Sequence, residues 1–161
     1  MTIDFILNGE DVVVRTEADI RLLDILRDTF GLRETRADCL IGCCGACTVF
    51  FNGNIAQSCL IPAFRVRGSE IVTIEAFSQT DEYQDIAEGF SRTGHKTCGF
   101  CTTGKVLALE SLLERNPRPG REDILPAFNG IKCRCTDPDS LVEAALAVAE
   151  IRQRRIYGRS A

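Results

Sequence analysis

Eight of the nine cysteines fall into two separate groups of four, and this constrains the chain more than any other feature. The first group is Cys39, Cys44, Cys47 and Cys59: C-x4-C-x2-C, then a fourth cysteine one strand-turn-strand later. The second is Cys98 and Cys101 as C-x2-C, then Cys133 and Cys135 as C-x-C after a long helical stretch. Thiolates in fours suit a [2Fe–2S] cluster, in which each iron takes two protein sulfurs besides its bridging sulfides. Two such sets in one small chain imply a short path for single electrons.

The bulk numbers fit that reading. At 161 residues the chain has the size of one domain or two small ones. A hydrophobic fraction of 45% with 26% charged residues is that of globular material. The net charge of −4 argues against nucleic acid or an anionic membrane as the main partner. No apolar stretch approaches the roughly 18 residues of a membrane span, so no membrane insertion is expected. Met1-Thr2-Ile3-Asp4 has neither the basic nor the apolar region of a secretory signal, so a cytoplasmic location is expected. Thiols there are reduced or bind metal. The basic run Arg152, Arg154, Arg155 and Arg159 reads as a solvated helix end with cations at the C-terminal dipole.

Pattern divides the chain in two, at about residues 1–77 and 78–161. Residues Ile3–Leu7 and Val12–Thr16 are β-rich and joined by Asn8-Gly9, the favoured type I′ hairpin pair. A helix follows, with Ile20, Leu23, Leu26 and Phe30 at helical spacing, Asp19 as N-cap and Gly31 as stop. Strands Thr48–Phe51 and Ile55–Cys59 flank Asn52-Gly53, and Ile71–Ile74 is a last strand. Two hairpins and one helix on a small mixed sheet make a β-grasp-like half. The rest reads as a helical bundle: Glu82–Ser91, Thr103–Glu114, Glu122–Phe128 shortened by Pro126, and a fourth helix capped by Asp137 with Pro138 at its first position. The fold class is therefore α+β.

The two cysteine sets differ in how much spacing alone says. The first has the plant-type ferredoxin spacing, in a loop whose Gly42 and Gly45 let amides turn toward sulfide. The second could hold a cluster or structural zinc, while a redox C-x-x-C lacks its βαβ surroundings. Each of its pairs lies just before a predicted helix, whose positive end suits an anionic cluster. Cys43 fits no spacing and reads as a non-ligand thiol. His95 stands alone, so a Rieske set with two histidines is closed, and it reads as a surface loop residue. Lys105 and Lys132, close to second-set cysteines, are expected to raise that cluster's reduction potential unless both ammonium groups sit in screening solvent.

The segments Gly42-x-Cys44-Gly45-Ala46-Cys47-Thr48-Val49, Ser58-Cys59-Leu60, Cys98-Gly99-Phe100-Cys101-Thr102 and Cys133-Arg134-Cys135-Thr136 together resemble the iron–sulfur subunit of the xanthine dehydrogenase / aldehyde oxidase (molybdenum hydroxylase) family. The match runs over nearly the whole chain. The resemblance implies an N-terminal plant-type [2Fe–2S] ferredoxin domain facing an FAD-binding medium subunit. It also implies a C-terminal four-helix-bundle domain whose [2Fe–2S] cluster faces a large molybdopterin-binding subunit. The chain would then be the electron-transfer subunit of an oxidoreductase, carrying electrons through both clusters between molybdopterin and FAD during hydroxylation of an aromatic heterocycle, aldehyde or related substrate. The other reading is a free-standing two-cluster ferredoxin-like carrier.

Several residues depart from the family's pattern. Thr97 stands where the family has a pterin-contacting Gln, so no cofactor-binding residue is assigned. Thr102-Thr103-Gly104-Lys105 replaces Thr-Pro-Gly-Met, Lys132 replaces a Leu, Asp137-Pro138 replaces Gly-Tyr, and Cys43 replaces a Glu. No catalytic residue is found: the chain offers neither paired acid–base carboxylates nor a nucleophile–base pair.

Overall fold

The computed structural model describes residues 1–158, so Arg159 of the basic run lies outside the described residues. Strands β1 (Thr2–Leu7) and β2 (Glu10–Arg15) form the first hairpin, and β3 (Thr48–Phe51) and β4 (Asn54–Gln57) the second. Both turns are of the expected kind, with Asn8, Gly9, Asn52 and Gly53 all at positive φ. The two asparagines do more than turn the chain. Asn8 Oδ1 accepts from Thr73 N at 2.8 Å and Asn52 Oδ1 from Glu70 N at 2.8 Å, so each hairpin tip grips an end of β5 (Glu70–Val72). The sheet order is β2-β1-β5-β3-β4, parallel only between β1 and β5.

Alternation along β1 buries Ile3, Phe5 and Leu7 on one face, where they meet Leu22, Ile25 and Leu26 of the crossing helix. That helix differs from the expectation. It is α-helical only over α1 (Leu22–Asp24), with Arg21 rather than Asp19 as N-cap, and widens to π-helical geometry over Ile25–Thr29 before Gly31 turns at φ 70°. The wider turn keeps Leu22, Ile25 and Leu26 on the sheet but leaves Ile20 outside the core. The strand expected over Ile71–Ile74 is likewise shorter: at Ile74 the chain turns into α2 (Ile74–Phe77).

The sheet's other face is covered by helices. Neighbouring residues on a strand point to opposite sides, so Val49 enters the sheet core while Phe50 packs with Ile74, Phe77, Leu109 and Val148. The second core is thus built by α3 (Asp81–Thr93), α4 (Thr102–Arg115), α5 (Arg121–Ala127) and α6 (Pro138–Tyr157) together with the back of β3. Thr80 caps α3 through Tyr83 N, Asp137 Oδ2 caps α6 through Ser140 N at 3.1 Å, and Pro126 sits inside the short α5. The closest helix pair is α3 with α6, where a Cβ on Gly89 would overlap the Val148 side chain. The result is an α+β chain with a mixed sheet followed by helices.

The basic run is a correction. Arg152 is buried, with Nε 3.1 Å from Asp85 Oδ2 and Nη2 2.8 Å from Glu110 Oε2. Arg155 Nη2 lies 2.9 Å from Asp85 Oδ2 and 3.1 Å from Glu82 Oε1. Two of the four arginines therefore tie α6 to α3 and α4, and of the described ones only Arg154, paired with Glu150 one turn back, behaves as a solvated helix end. Spacing along one helix could not reveal this, because the partners are supplied by another. No helix among the described residues is long and apolar enough to cross a membrane.

Candidate metal centres

Among the described residues all nine cysteines are free thiols. The loop between the π-helical turn and β3 carries Cys39, Cys43, Cys44 and Cys47. It bends through left-handed backbone at Leu40 (φ 58°), Gly42 (φ 75°) and Gly45 (φ 75°). A leucine in that region is a strained choice, costing on the order of 1 kcal/mol. The bend turns amides onto sulfur. The Ile41 N–H is the chief reason the half-buried Cys39 thiol is brought down to about 6, against desolvation and with help from Cys44. Ala46 N lies 3.5 Å from Cys44 Sγ.

Cys59 comes from the short 3-10 turn Ser58–Leu60 after β4, held by Ser58 Oγ donating to Cys47 O at 2.8 Å. It packs with Cys47 and Leu23, and burial, then the neighbouring Cys47 sulfur, pushes its thiol up to about 12. In the first set the Cys39 sulfur neighbours those of Cys44 and of Cys43, and the Cys47 sulfur neighbours that of Cys59.

The second set gathers at the start of α4. Cys101 is the N-cap of α4, and Gly99 (φ 83°) folds Cys98 back across the turn. Cys133, Cys135 and Cys101 bring their sulfurs within 4.8 Å of one another, with Cys133 and Cys135 only 3.6 Å apart. Cys98 meets Cys135, and Cys101 meets Cys133. Burial raises the Cys133 thiol, but the Thr136 hydroxyl at 3.0 Å, the Cys135 amide and the Lys105 ammonium outweigh it and bring the thiol down to about 5. Burial pushes Cys101 up to about 12. The Phe100 N–H is the first cause that lowers Cys98.

The two loops meet. A Cβ on Gly45 would sit 2.6 Å from Gly130 O, a Cβ on Gly104 would overlap Gly45 O, and Lys132 N donates to Cys44 O at 3.1 Å. A cavity of about 430 Å³ opens beside this seam, walled by Cys39, Cys43 and Cys44 on one side and Cys98, Cys101 and Cys135 on the other.

The remaining residues singled out in the sequence divide. Cys43 is exposed on the cavity wall, its thiol raised by the adjacent Cys39 sulfur. Cys43→Ser is expected to keep the full iron content and the first cluster's paramagnetic signal; iron analysis and EPR of the reduced protein check it. Thr97 accepts a hydrogen bond from the Thr102 hydroxyl at 2.7 Å. His95 is a correction: it is not at the surface but 6% exposed, edge-on to Phe90 at 4.8 Å, with Nδ1 3.0 Å from Ser140 Oγ. Lys132 is exposed whereas Lys105 is buried, so the two cations separate. Sequence reasoning missed Glu75, whose carboxylate takes Glu34 N at 2.9 Å and Thr35 N at 3.3 Å and anchors the approach to the first loop. Thr136 belongs to the Cys133-Arg134-Cys135-Thr136 segment singled out in the sequence, but its hydroxyl contact with Cys133 Sγ at 3.0 Å was not legible there.

The residues present fit two clusters. The sulfurs gather in two sets, amides are turned onto them, and a buried ammonium stands beside the second set. Among known protein families, residues 5–71 match the 2Fe-2S iron-sulfur cluster binding domain and residues 73–146 the [2Fe-2S] binding domain. The chain is 40% identical over 136 residues to the nicotinate dehydrogenase small FeS subunit of Eubacterium barkeri, covering 84% of this chain and 87% of that one. It is 38% identical over 144 residues to the nicotine 6-hydroxylase small subunit of Paenarthrobacter nicotinovorans, covering 89% and 87%. In the crystal structure of quinoline 2-oxidoreductase from Pseudomonas putida 86, a chain 35% identical superposes with a TM-score of 0.86, over 96% of each chain. With two sets of gathered thiols, matches to two [2Fe-2S] domains and relatives that are small subunits of oxidoreductases, this chain belongs to the iron–sulfur subunits of the molybdenum hydroxylase (xanthine dehydrogenase / aldehyde oxidase) family and serves as an electron-transfer subunit.

Proposed function

We propose that Cys39 with Cys44 and Cys47 with Cys59 hold the two irons of the first cluster, and Cys98 with Cys135 and Cys101 with Cys133 those of the second. The first site belongs to a β-grasp ferredoxin domain over residues 1–77, the second to a four-helix-bundle domain over residues 78–161. Each cluster, when bound, accepts and releases one electron. The chain's own residues do the rest. The amides of Ile41, Ala46, Phe100 and Cys135 place positive dipoles on the sulfurs, Leu23 and Ala46 keep water from the inner pair of the first set, and the glycine seam holds the two loops at backbone contact.

The partners in this reading are a large molybdopterin-binding subunit on the side of the second set and a medium FAD-binding subunit on the side of the first, in the cytoplasm. The relatives named above act on nicotinate, nicotine and quinoline, which favours a nitrogen heteroaromatic as the substrate hydroxylated by the complex. The observation that carries the reading is the gathering of two separate sets of thiols, with the sulfurs of Cys101, Cys133 and Cys135 within 4.8 Å of one another in the second. Anaerobic purification from the native source tests it. A brown complex of three subunits, with two distinguishable [2Fe–2S] EPR signals after dithionite reduction, is expected. A colourless chain containing zinc would end the reading, and a brown chain without companions would favour the free-standing carrier.

A further inference from the structure

Lys105 is the largest of the fully buried side chains, at 1% exposure. An ammonium taken out of water needs an opposite charge close by, because desolvating an unpaired ion costs several kcal/mol. Among the described residues the other buried cation, Arg152, has Asp85 and Glu110. No carboxylate among the described residues lies within ion-pair distance of Lys105. Its Nζ instead donates to the Thr136 hydroxyl, which also contacts Cys133 Sγ at 3.0 Å. Cys101 stands one helical turn before it, with Lys105 N donating to Cys101 O at 3.0 Å. The remaining ionisable neighbour is His95, which faces the lysine from the loop before Cys98. The counter-charge of this buried cation is therefore the thiolate set itself.

We infer that Lys105 is the cation that sets the reduction potential of the helical cluster, raising it above what the four thiolates alone would give and biasing an electron shared by the two clusters toward the helical one. This rests on the ligation proposed above. Gain of one electron takes one ferric ion to ferrous and adds one negative charge to the four-thiolate unit, while the ammonium keeps its protons. A fixed positive charge a few ångströms away stabilises the reduced form more than the oxidised one, and burial keeps water from screening that difference. Exposed Lys132 is screened and adds little. Of the two cations near the second set, one therefore acts.

The test is a dithionite-driven redox titration of the intact complex, following both clusters separately by EPR. Lys105→Met keeps length and removes charge. It is expected to shift the helical cluster at least tenfold toward the oxidised form at fixed potential, about 59 mV more negative for a one-electron couple. The first cluster stays where it was, and Lys105→Arg stays close to the parent. Thr136→Val, which frees the ammonium from its hydroxyl, moves the same cluster in the same direction by less. An unchanged potential in Lys105→Met with iron retained overturns the inference. Loss of the second cluster's iron in Lys105→Met also overturns it, since the lysine would then serve assembly and not potential. Failure of the ligation reading is told apart in the parent complex, which would lack the second signal altogether.

Discussion

Serine in place of Cys59 is expected to strip half of the iron from the chain, abolish the first cluster's EPR signal and leave the second intact. In the assembled enzyme, substrate would still reduce the second cluster, but turnover with the natural acceptor would cease. The effect is large because Cys59 has no substitute. It is 4% exposed, fixed on a 3-10 turn by Ser58 and packed on Leu23 and Cys47, while the spare thiol, Cys43, lies on the exposed side of the loop. A hydroxyl there is a hard, neutral donor where the proposed cluster needs a thiolate. Iron analysis and EPR decide it. Full iron in Cys59→Ser would mean that another donor, the serine oxygen or a different sulfur, completes the set.

Arg152→Ala is expected to lower the unfolding free energy by roughly 3–5 kcal/mol, the range for breaking a buried ion pair by removing one partner. The value belongs at the lower end, because Asp85 retains Arg155 at 2.9 Å whereas Glu110 loses its cation. Glu110 Oε2 lies 2.8 Å from Arg152 Nη2 but out of line for a hydrogen bond, so the attraction is coulombic, and burial still wins and raises the Glu110 carboxyl. The pH dependence follows. A carboxyl raised in the folded state holds its proton where the unfolded chain has released it, so stability falls as pH rises from the ordinary glutamate range through the raised native value. Without Arg152 that window extends upward, so the variant's deficit is greatest at neutral pH and shrinks on mild acidification. Denaturant unfolding at two pH values checks both statements. Arg154→Ala, which removes an exposed pair with Glu150, is expected to cost about 0.5 kcal/mol or less.

What was legible in the sequence was whatever is specified locally. Asn8-Gly9 and Asn52-Gly53 announced their hairpins because a type I′ turn demands positive φ at both positions, and Asp137-Pro138 announced α6 because cap and first turn are adjacent in the chain. The two cysteine sets were legible because a cluster fixes ligand spacing chemically. What spacing could not convey was which groups face each other across distant segments. Arg152 looked like a helix end until Asp85 and Glu110 were brought to it, and His95 looked superficial until Phe90 and Ser140 closed over it. The π-helical turn at Ile25–Thr29 has no local signature either, since it follows from fitting a helix to the sheet beneath it.

The contact of Gly45 with Gly104 and Gly130 bears on how such a chain matures. Each metal loop is part of the mould for the other, with only the Ile131 side chain beside the backbone contact. A side chain added at Gly45 or Gly104 therefore reaches both cysteine loops at once, so the fit of one site is not independent of the other.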